Sequence, residues 1–254
     1  MQLAFGAGAL WGNRTDLTGS GIGPDQFGIL QDVQIDWDWT TKELWGQHQF
    51  PLDIARGQGK IAGKAKFARI FGAIYGDLFF GQTPATGQLT VSENEAAAVP
   101  ASAPYTVTVG NAATYSDDLG VFYASGANAG NRMTRVTTPS AAGQYSVNLS
   151  TGVYTFAAAD AAAALSISYL FTGATGKKLV LTNQFIGYTP TFKATFYTLK
   201  TTGGVPAGLS LVLNACTATK LSLPTKIDDY EIQEFDFNAF ADASGAIGTI
   251  STNE

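Results

Sequence analysis

GQGKIAGKAKFARIFGAIYGDLFF, Gly57 to Phe80, decides how the chain is read. Its glycines and lysines suggest a phosphate-cradling loop, and an apolar periodicity follows them. The loop chemistry fails on inspection. A P-loop needs Gly, four residues, Gly-Lys and then Ser or Thr, whose hydroxyl reaches a metal ion. Here Gly63-Lys64 is followed by Ala65, and Gln58 stands where the first Gly should be. The dinucleotide pattern fails as well, because Ala62 occupies the third glycine position after Gly57 and Gly59. The stretch reads better as structure. Phe67, Ile70, Phe71, Ile74, Tyr75 and Leu78 fall at helical spacing on one stripe, which predicts a core-packed helix from about Lys66 to Phe80. Ala68, Gly72 and Gly76 lie four apart beside that stripe and suit a close backbone approach. Each helical glycine costs about 1 kcal/mol, and each large buried side chain returns about 1.5–3 kcal/mol, so packing wins. Lys60, Lys64 and Lys66 are then surface or subunit-contact charges.

Working outward, QDVQIDWDW (Gln31–Trp39) alternates strictly: Val33, Ile35, Trp37 and Trp39 against Asp32, Gln34, Asp36 and Asp38. Such a strand has one buried face and one wet, acidic face. Thr40 to Gly57 then shows no sustained period, and reads as a long loop. It carries Leu44, Trp45, Phe50 and Ile54, too apolar for a disordered segment. Either it folds back on its own core or it docks on a neighbouring subunit, where aromatic residues are enriched.

The 254 residues suffice for one large β domain or two smaller ones. A net charge of −5 argues against an electrostatic grip on nucleic acid. The single cysteine, Cys216, cannot form an internal disulfide, which fits a reducing site of synthesis. The start lacks the basic n-region of a signal peptide, and no apolar run reaches transmembrane length.

Between about Thr83 and Thr172 the texture changes. Arg132 and Arg135 are its only basic residues, and short strand candidates follow one another at close spacing: Tyr105–Val109, Leu119–Tyr123, Arg132–Val136, Gln144–Leu149, Val153–Phe156 and Leu165–Phe171. Ala157 to Leu165 reads as a corner between strands. This block, 84–172, is expected to be an inserted or elaborated β subdomain within a body made of 1–83 and 173–254. In the last part, KKLVLTNQFIG and TFKATFYTL read as strands, and LSLVLNACTATKLSL as a pair split near Ala218. A phase slip after Ile232 suggests a bulge at Gln233–Glu234.

Chemistry has few footholds. Asp36 and Asp38 would lie roughly 6.5–7 Å apart on one strand face, a separation an inverting glycosidase can use. Every i, i+2 pair on a strand shares that spacing, and the flanking tryptophans alternate to the other face, so a solvated acidic face is the stronger reading. His48 and Cys216 have no motif around them and are too few for a metal site. No G-x-S-x-G elbow is present. The expectation is no enzyme, no cofactor and no metal.

The run FGILQDVQIDWDWTTKELWGQHQFPLDIARGQGKIAGKAKFARIFGAIYGDLFFG resembles the N-terminal half of major tail tube proteins of long-tailed bacteriophages. NQFIGYTPTFKATFY and LNACTATKLSLPTKIDDYEIQEFDFNAFADASGAIGTIS resemble their C-terminal half. YTVTV, DLGVFY, GQYSVNLSTGVYTFAAAD and ISYLFT are similar to the β segment between the halves. The resemblance implies a mainly β fold: a tail-tube β-sandwich with one packed helix, here with an inserted β subdomain. It implies a structural virion protein, made in the host bacterial cytoplasm, that forms rings, usually hexameric. The rings stack into the hollow tail through which DNA passes. A long loop and the terminal arms reach the adjacent ring. Implied partners are other copies of the chain and the tail terminator, tape measure and distal tail proteins; DNA passes without specific binding.

By position Thr40–Gly57 matches the inter-ring loop, with Trp45 and Phe50 as anchors. An acidic channel lining would repel phosphates and let DNA slide, where a basic one would hold them at about 10⁻⁴–10⁻⁶ M per site. Asp32, Asp36, Asp38, Glu231 and Asp236 are therefore candidates to face the lumen; the alternative puts them on the outside of the tube. Two other functions stay open: a virion-associated carbohydrate-binding or adhesin-like β module, and a glycosidase using Asp36 and Asp38.

Overall fold

The computed structural model describes residues 6–16, 23–69, 71–202, 205–225, 227, 228 and 230–252. Along the chain the strands are β1 (Ala9–Arg14), β2 (Asp25–Gln26), β3 (Ile29–Leu44), β4 (Asp53–Arg69), β5 (Ala85–Thr86), β6 (Leu89–Ala98), β7 (Thr106–Thr108), β8 (Tyr115–Tyr123), β9 (Thr134–Arg135), β10 (Gln144–Asn148), β11 (Val153–Phe156), β12 (Ala164–Thr172), β13 (Lys177–Lys178), β14 (Phe192–Thr202), β15 (Val205–Ser222), β16 (Gln233–Phe240) and β17 (Gly248–Thr252). The protein is mainly β. It divides into two compact units, 1–84 with 179–254, and 85–178.

The first unit is an antiparallel sheet in the order β2-β1-β14-β15-β16-β4-β3, with β17 paired to β15 beyond the end of β16. Its centre of gravity is β4. From Ile61 to Phe67 the side chains alternate: Ile61, Gly63, Ala65 and Phe67 are buried, while Lys64 and Lys66 are not. Here β4 is paired on both sides, with Phe67 facing Leu30 of β3 and Gln233 of β16. The expected helix from Lys66 is therefore corrected. Two ladders hold the backbone extended through Phe67 and the β3 ladder carries it on to Arg69, so Phe67 is a strand residue in the core.

What remains helical is a single α-turn, Gly72–Ile74, widening into a π-turn, Tyr75–Phe80. Ile74 and Leu78 of the expected stripe are buried, and Tyr75 is half-buried with its hydroxyl donating to Gln233 Oε1 at 2.8 Å. Phe71 instead is 45% exposed beneath the Arg69 guanidinium, and Ile70 lies outside the described residues. Gly81 ends the turn with φ +65°, donating its N–H to the Gly76 carbonyl, a left-handed cap that favours glycine. The core under this turn is aromatic: Phe27 meets Phe235 edge-on with centroids 5.0 Å apart, and Phe192 meets Phe237 at 6.0 Å. Such pairs add about 0.5–1.5 kcal/mol each beyond area burial.

Four further expectations change. Thr40–Gly57 is not a loop throughout; β3 and β4 stay paired out to Leu44 and Asp53, leaving only 45–52 as the turn. KKLVLTNQFIG forms a strand only at Lys177–Lys178, because among the described residues no strand runs beside 179–191. The expected split near Ala218 is instead a bulge in one continuous β15, between Ala218 and Lys220. Correspondingly, Gln233–Glu234 is the regular start of β16 and not a bulge.

The second unit has two sheets, β7-β11-β10-β9 and β6-β12-β8, over one core. β5 and β13 pair where the chain enters and leaves it. β6 escapes sequence reading because its alternation breaks at Asn94, whose φ is +54° and whose N–H donates to Ser168 Oγ. Ala158–Asp160 is a 3-10 turn at the expected corner. Its core tyrosines keep their hydroxyls on carboxylates: Tyr145 and Tyr154 donate to Asp118 at 2.7 and 2.9 Å, and Tyr169 to Glu95. Tyr123 donates to Asp160, which also accepts the Gly143 N–H. Burial pushes the Tyr123 phenol up to about 12, with Asp160 adding to it, and pushes Tyr145 and Tyr154 up as well.

Two outcomes test this packing. A β-carbon on Gly63 would overlap the Phe237 ring, so Gly63→Ala should lower stability by about 1–3 kcal/mol in urea unfolding, with partial recovery in Gly63→Ala/Phe237→Leu. The raised tyrosine values mean a stabilisation fully present below about pH 10 and lost as pH rises through the folded values. Tyrosinate absorbance should therefore rise in two steps, the exposed phenols near pH 10 and the buried ones only with unfolding at higher pH. One step near pH 10 would contradict the buried hydroxyl pairs.

Candidate functional site

Two faces of the first sheet carry most of the acidic candidates and the stacked tryptophans, and the contact-loop candidates sit at the end of the β3–β4 hairpin. On the outward face β3 places Asp32, Asp36 and Asp38 in a row, exposed as the alternation requires. β4 sets Lys66 opposite Asp32 and Lys60 opposite Asp38. β16 then sets Glu234 opposite Lys66 and Asp236 opposite Lys64, and β15 sets Lys220 opposite Asp236. The face is thus not simply acidic. It consists of rows of alternating sign, acid, base, acid, base, across four strands. The reason is geometric: alternate residues of each strand share a face, so Lys64 and Lys66 of β4 are forced between two acidic strands, and Lys60 beside one.

Glu234 is the junction of these rows. Lys64 Nζ stands 3.2 Å from its Oε2 and Lys220 Nζ 3.6 Å away. The hydrogen bond from Lys64 holds the Glu234 carboxyl below its ordinary range, with Lys220 and Lys66 contributing more weakly. Asp36 accepts from Gln34 Nε2 at 3.1 and 2.9 Å. Asp236 is half-buried on the same face. Glu231 is not part of it; it is exposed, just ahead of β16.

The opposite face of the same strands is apolar and graded. Ile61 is buried, Trp37 half-buried and Trp39 42% exposed, so the core face runs out along the β3–β4 ribbon into solvent. There it opens into a groove of about 370 Å³ between Trp37, Trp39, Ile61, Phe240 and Ile247. The two indoles stack with centroids 6.4 Å apart, and the Arg56 guanidinium lies 4.6 Å over Trp39. β4 loses its β16 partner beyond Ile61, so the outer ribbon has two strands only. At its end Leu44, Trp45, Phe50 and Ile54 are 62%, 57%, 79% and 57% exposed, and the turn adds Leu52.

Catalytic groupings do not converge on these faces. Asp36 and Asp38 share a face with lysines, and Trp37 and Trp39 turn away from them. His48 sits exposed in the hairpin turn, whereas Cys216 is fully buried, its thiol pushed up to about 12 by desolvation. Among the described residues no cluster of three or more His, Cys, Asp or Glu side chains is placed to hold a metal ion. The aromatic residues that suit a sugar platform in 85–178 are largely internal: Tyr145, Tyr154, Tyr169 and Phe156 are buried.

Sequence reasoning singled out the carboxylates but not Glu234 or Lys220, and the hairpin anchors but not the groove. Lysine at 60, 64 and 66 carried the signal for the basic row, since even spacing on a strand means one face. The chain matches no family model and no curated protein.

Because the Glu234 value is depressed, its contribution is present above the ordinary glutamate range near pH 4.5 and is lost as pH falls through the folded value. Glu234→Gln should cost a few tenths to about 1 kcal/mol at neutral pH in thermal unfolding. That difference should shrink in high salt and disappear in acid.

Proposed function

We propose that this protein is a self-assembling structural subunit, the major tail tube protein of a long-tailed bacteriophage, whose copies form rings that stack into a hollow, DNA-conducting tail. The observation that carries this reading is the β3–β4 ribbon. β3 is an edge strand over all 16 of its residues, and its outer half leaves the sheet to end in five exposed apolar side chains. A long edge strand invites pairing with another chain, and a two-stranded ribbon is marginal in water by itself. Both features are liabilities in a monomer and assets in an assembly, where lateral contacts close rings and axial contacts stack them.

The resemblance of the ordered runs Phe27 to Gly81, Asn183 to Tyr197 and Leu213 to Ser251 to tail tube proteins supplies the identity of the assembly. The charged face supports the conduit reading in a modified form. Turned to the lumen, the basic row of β4 is flanked by carboxylates that compete with phosphates for its lysines. Lys64 and Lys66 of β4 lie between the acidic strands β3 and β16, and Lys60 faces Asp38, so little counterion release rewards DNA binding. Asp32, Asp36, Asp38 and Asp236 are then lumen candidates as members of these rows, beside Lys60, Lys64 and Lys66. The tape measure, terminator and distal tail proteins remain the partners this role requires.

Negative-stain microscopy of the purified protein at high concentration checks the reading: rings or tubes with a central hole are expected. A compact monomer at every concentration, with no polymer on addition of tail initiator complexes, would sink it. Trp45→Ala/Phe50→Ala should abolish stacking while leaving thermal stability within about 0.5 kcal/mol, because both side chains are exposed in the single chain.

A further inference from the structure

We propose that the apolar hairpin tip of one copy seats in the Trp37–Trp39 groove of the next, making a one-way, head-to-tail contact between copies. The inference rests on the assembly reading above and names the receiving surface for its axial contact. The groove has room for one large aromatic ring and a neighbour, at about 370 Å³, and its walls are the indoles of Trp37 and Trp39 with Ile61, Phe240 and Ile247. The tip supplies what such a groove buries best, Trp45 and Phe50, the second of them 79% exposed.

A chain cannot fill its own groove. Trp39 and Leu44 belong to the same strand, which places the tip roughly 17 Å further along a continuous paired ribbon. The tip does not fold back, so its occupant site must lie on another molecule. Charge selects the same pairing. Arg56 stands on the groove's rim, its guanidinium 4.6 Å over Trp39, whereas Lys60 belongs to the charged face opposite Asp38. Glu43 and Asp53 flank the tip, Glu43 facing Ile54 and Leu44 facing Asp53 across the hairpin, and both carboxylates are exposed. Seating the tip brings these two acids toward the Arg56 guanidinium of the receiving copy.

Donor and acceptor are different surfaces, so the contact is heterologous. Each copy gives one tip and offers one groove, and a contact of this kind propagates without closing on itself unless a rotation intervenes. Applied to rings, it gives a polymer with a direction, growing on the groove side and the tip side by different chemistry.

A mixing experiment tests this. The tip variant Trp45→Ser/Phe50→Ser keeps its groove; the groove variant Trp39→Ala/Ile247→Asp keeps its tip. Both are first shown to melt cooperatively, as expected for changes at exposed or half-exposed side chains. In sedimentation each alone should fail to polymerise, with axial association weakened at least about thirtyfold, the effect of losing one hot-spot aromatic. Mixed in equal amounts, they should form a species of twice the mass of either alone and nothing larger, since only one tip–groove pair is intact. A groove variant that still polymerises by itself overturns the proposal, because tips then meet tips or another surface. So does a mixture that shows no doubling. Either result leaves the tube reading standing if the wild-type protein still forms tubes, whereas a wild type that never polymerises removes that reading whether or not the variants pair.

Discussion

The first unit depends on the double pairing of β4. Between Ile61 and Phe67 this strand is hydrogen-bonded to β3 on one side and β16 on the other. That one constraint sets the phase of everything nearby. With Phe67, Ala65 and Gly63 turned inward, Gly63 leaves space for the Phe237 ring, and Phe27, Phe192 and Phe235 close around Phe67. Slip the register by one residue and Lys64 and Lys66 enter that aromatic core while Ile61, Ala65 and Phe67 leave it. The desolvation of an unpaired ammonium costs far more than any local helix preference returns, so the strand wins over the helical stripe.

The same phase makes the outer face. Lys64 and Lys66, excluded from the core on β4, emerge between the acidic rows of β3 and β16, and Glu234 gathers Lys64 and Lys220. Exposed pairs of this kind contribute little stability one by one. Their regular spacing has a different consequence: it brings the face close to neutrality along its length, despite the chain's net charge of −5. A near-neutral, mixed-sign wall and an apolar ribbon leaving the sheet are the two physical properties on which the conduit and assembly proposals stand.

The second unit solves a different problem. A small β body has limited apolar area to bury. Here tyrosines fill the core, and each buried hydroxyl is matched to Asp118, Glu95 or Asp160. A phenol supplies ring area, and its hydroxyl, once hydrogen-bonded, escapes the cost of an unmade bond. The aromatic content of 85–178 is accordingly directed inward, and its exposed large apolar side chains are the aliphatic Leu89, Val91, Leu119 and Leu149.

Much of the architecture was legible in the residues alone. The alternation of Val33, Ile35, Trp37 and Trp39 specified a strand and its buried face, the turn-separated runs from Tyr105 to Phe171 specified a β-rich block, and Leu44, Trp45, Phe50 and Ile54 marked an apolar excursion. These are local signals, carried by a period of two or by composition. What tertiary structure decided was non-local. Phe67 fits a helix at i, i+3 and i+4 as well as a strand at i, i+2, and only neighbours on both edges resolve it. Val180, Leu181, Phe185 and Ile186 look like a strand, yet a strand exists only where another lies beside it. The groove at Trp39 and Ile247 joins residues over two hundred positions apart, and the alternating charge rows need the register of four strands. A sequence states which side chains share a face of one element; which elements lie side by side is settled by pairing across distances that no local period records.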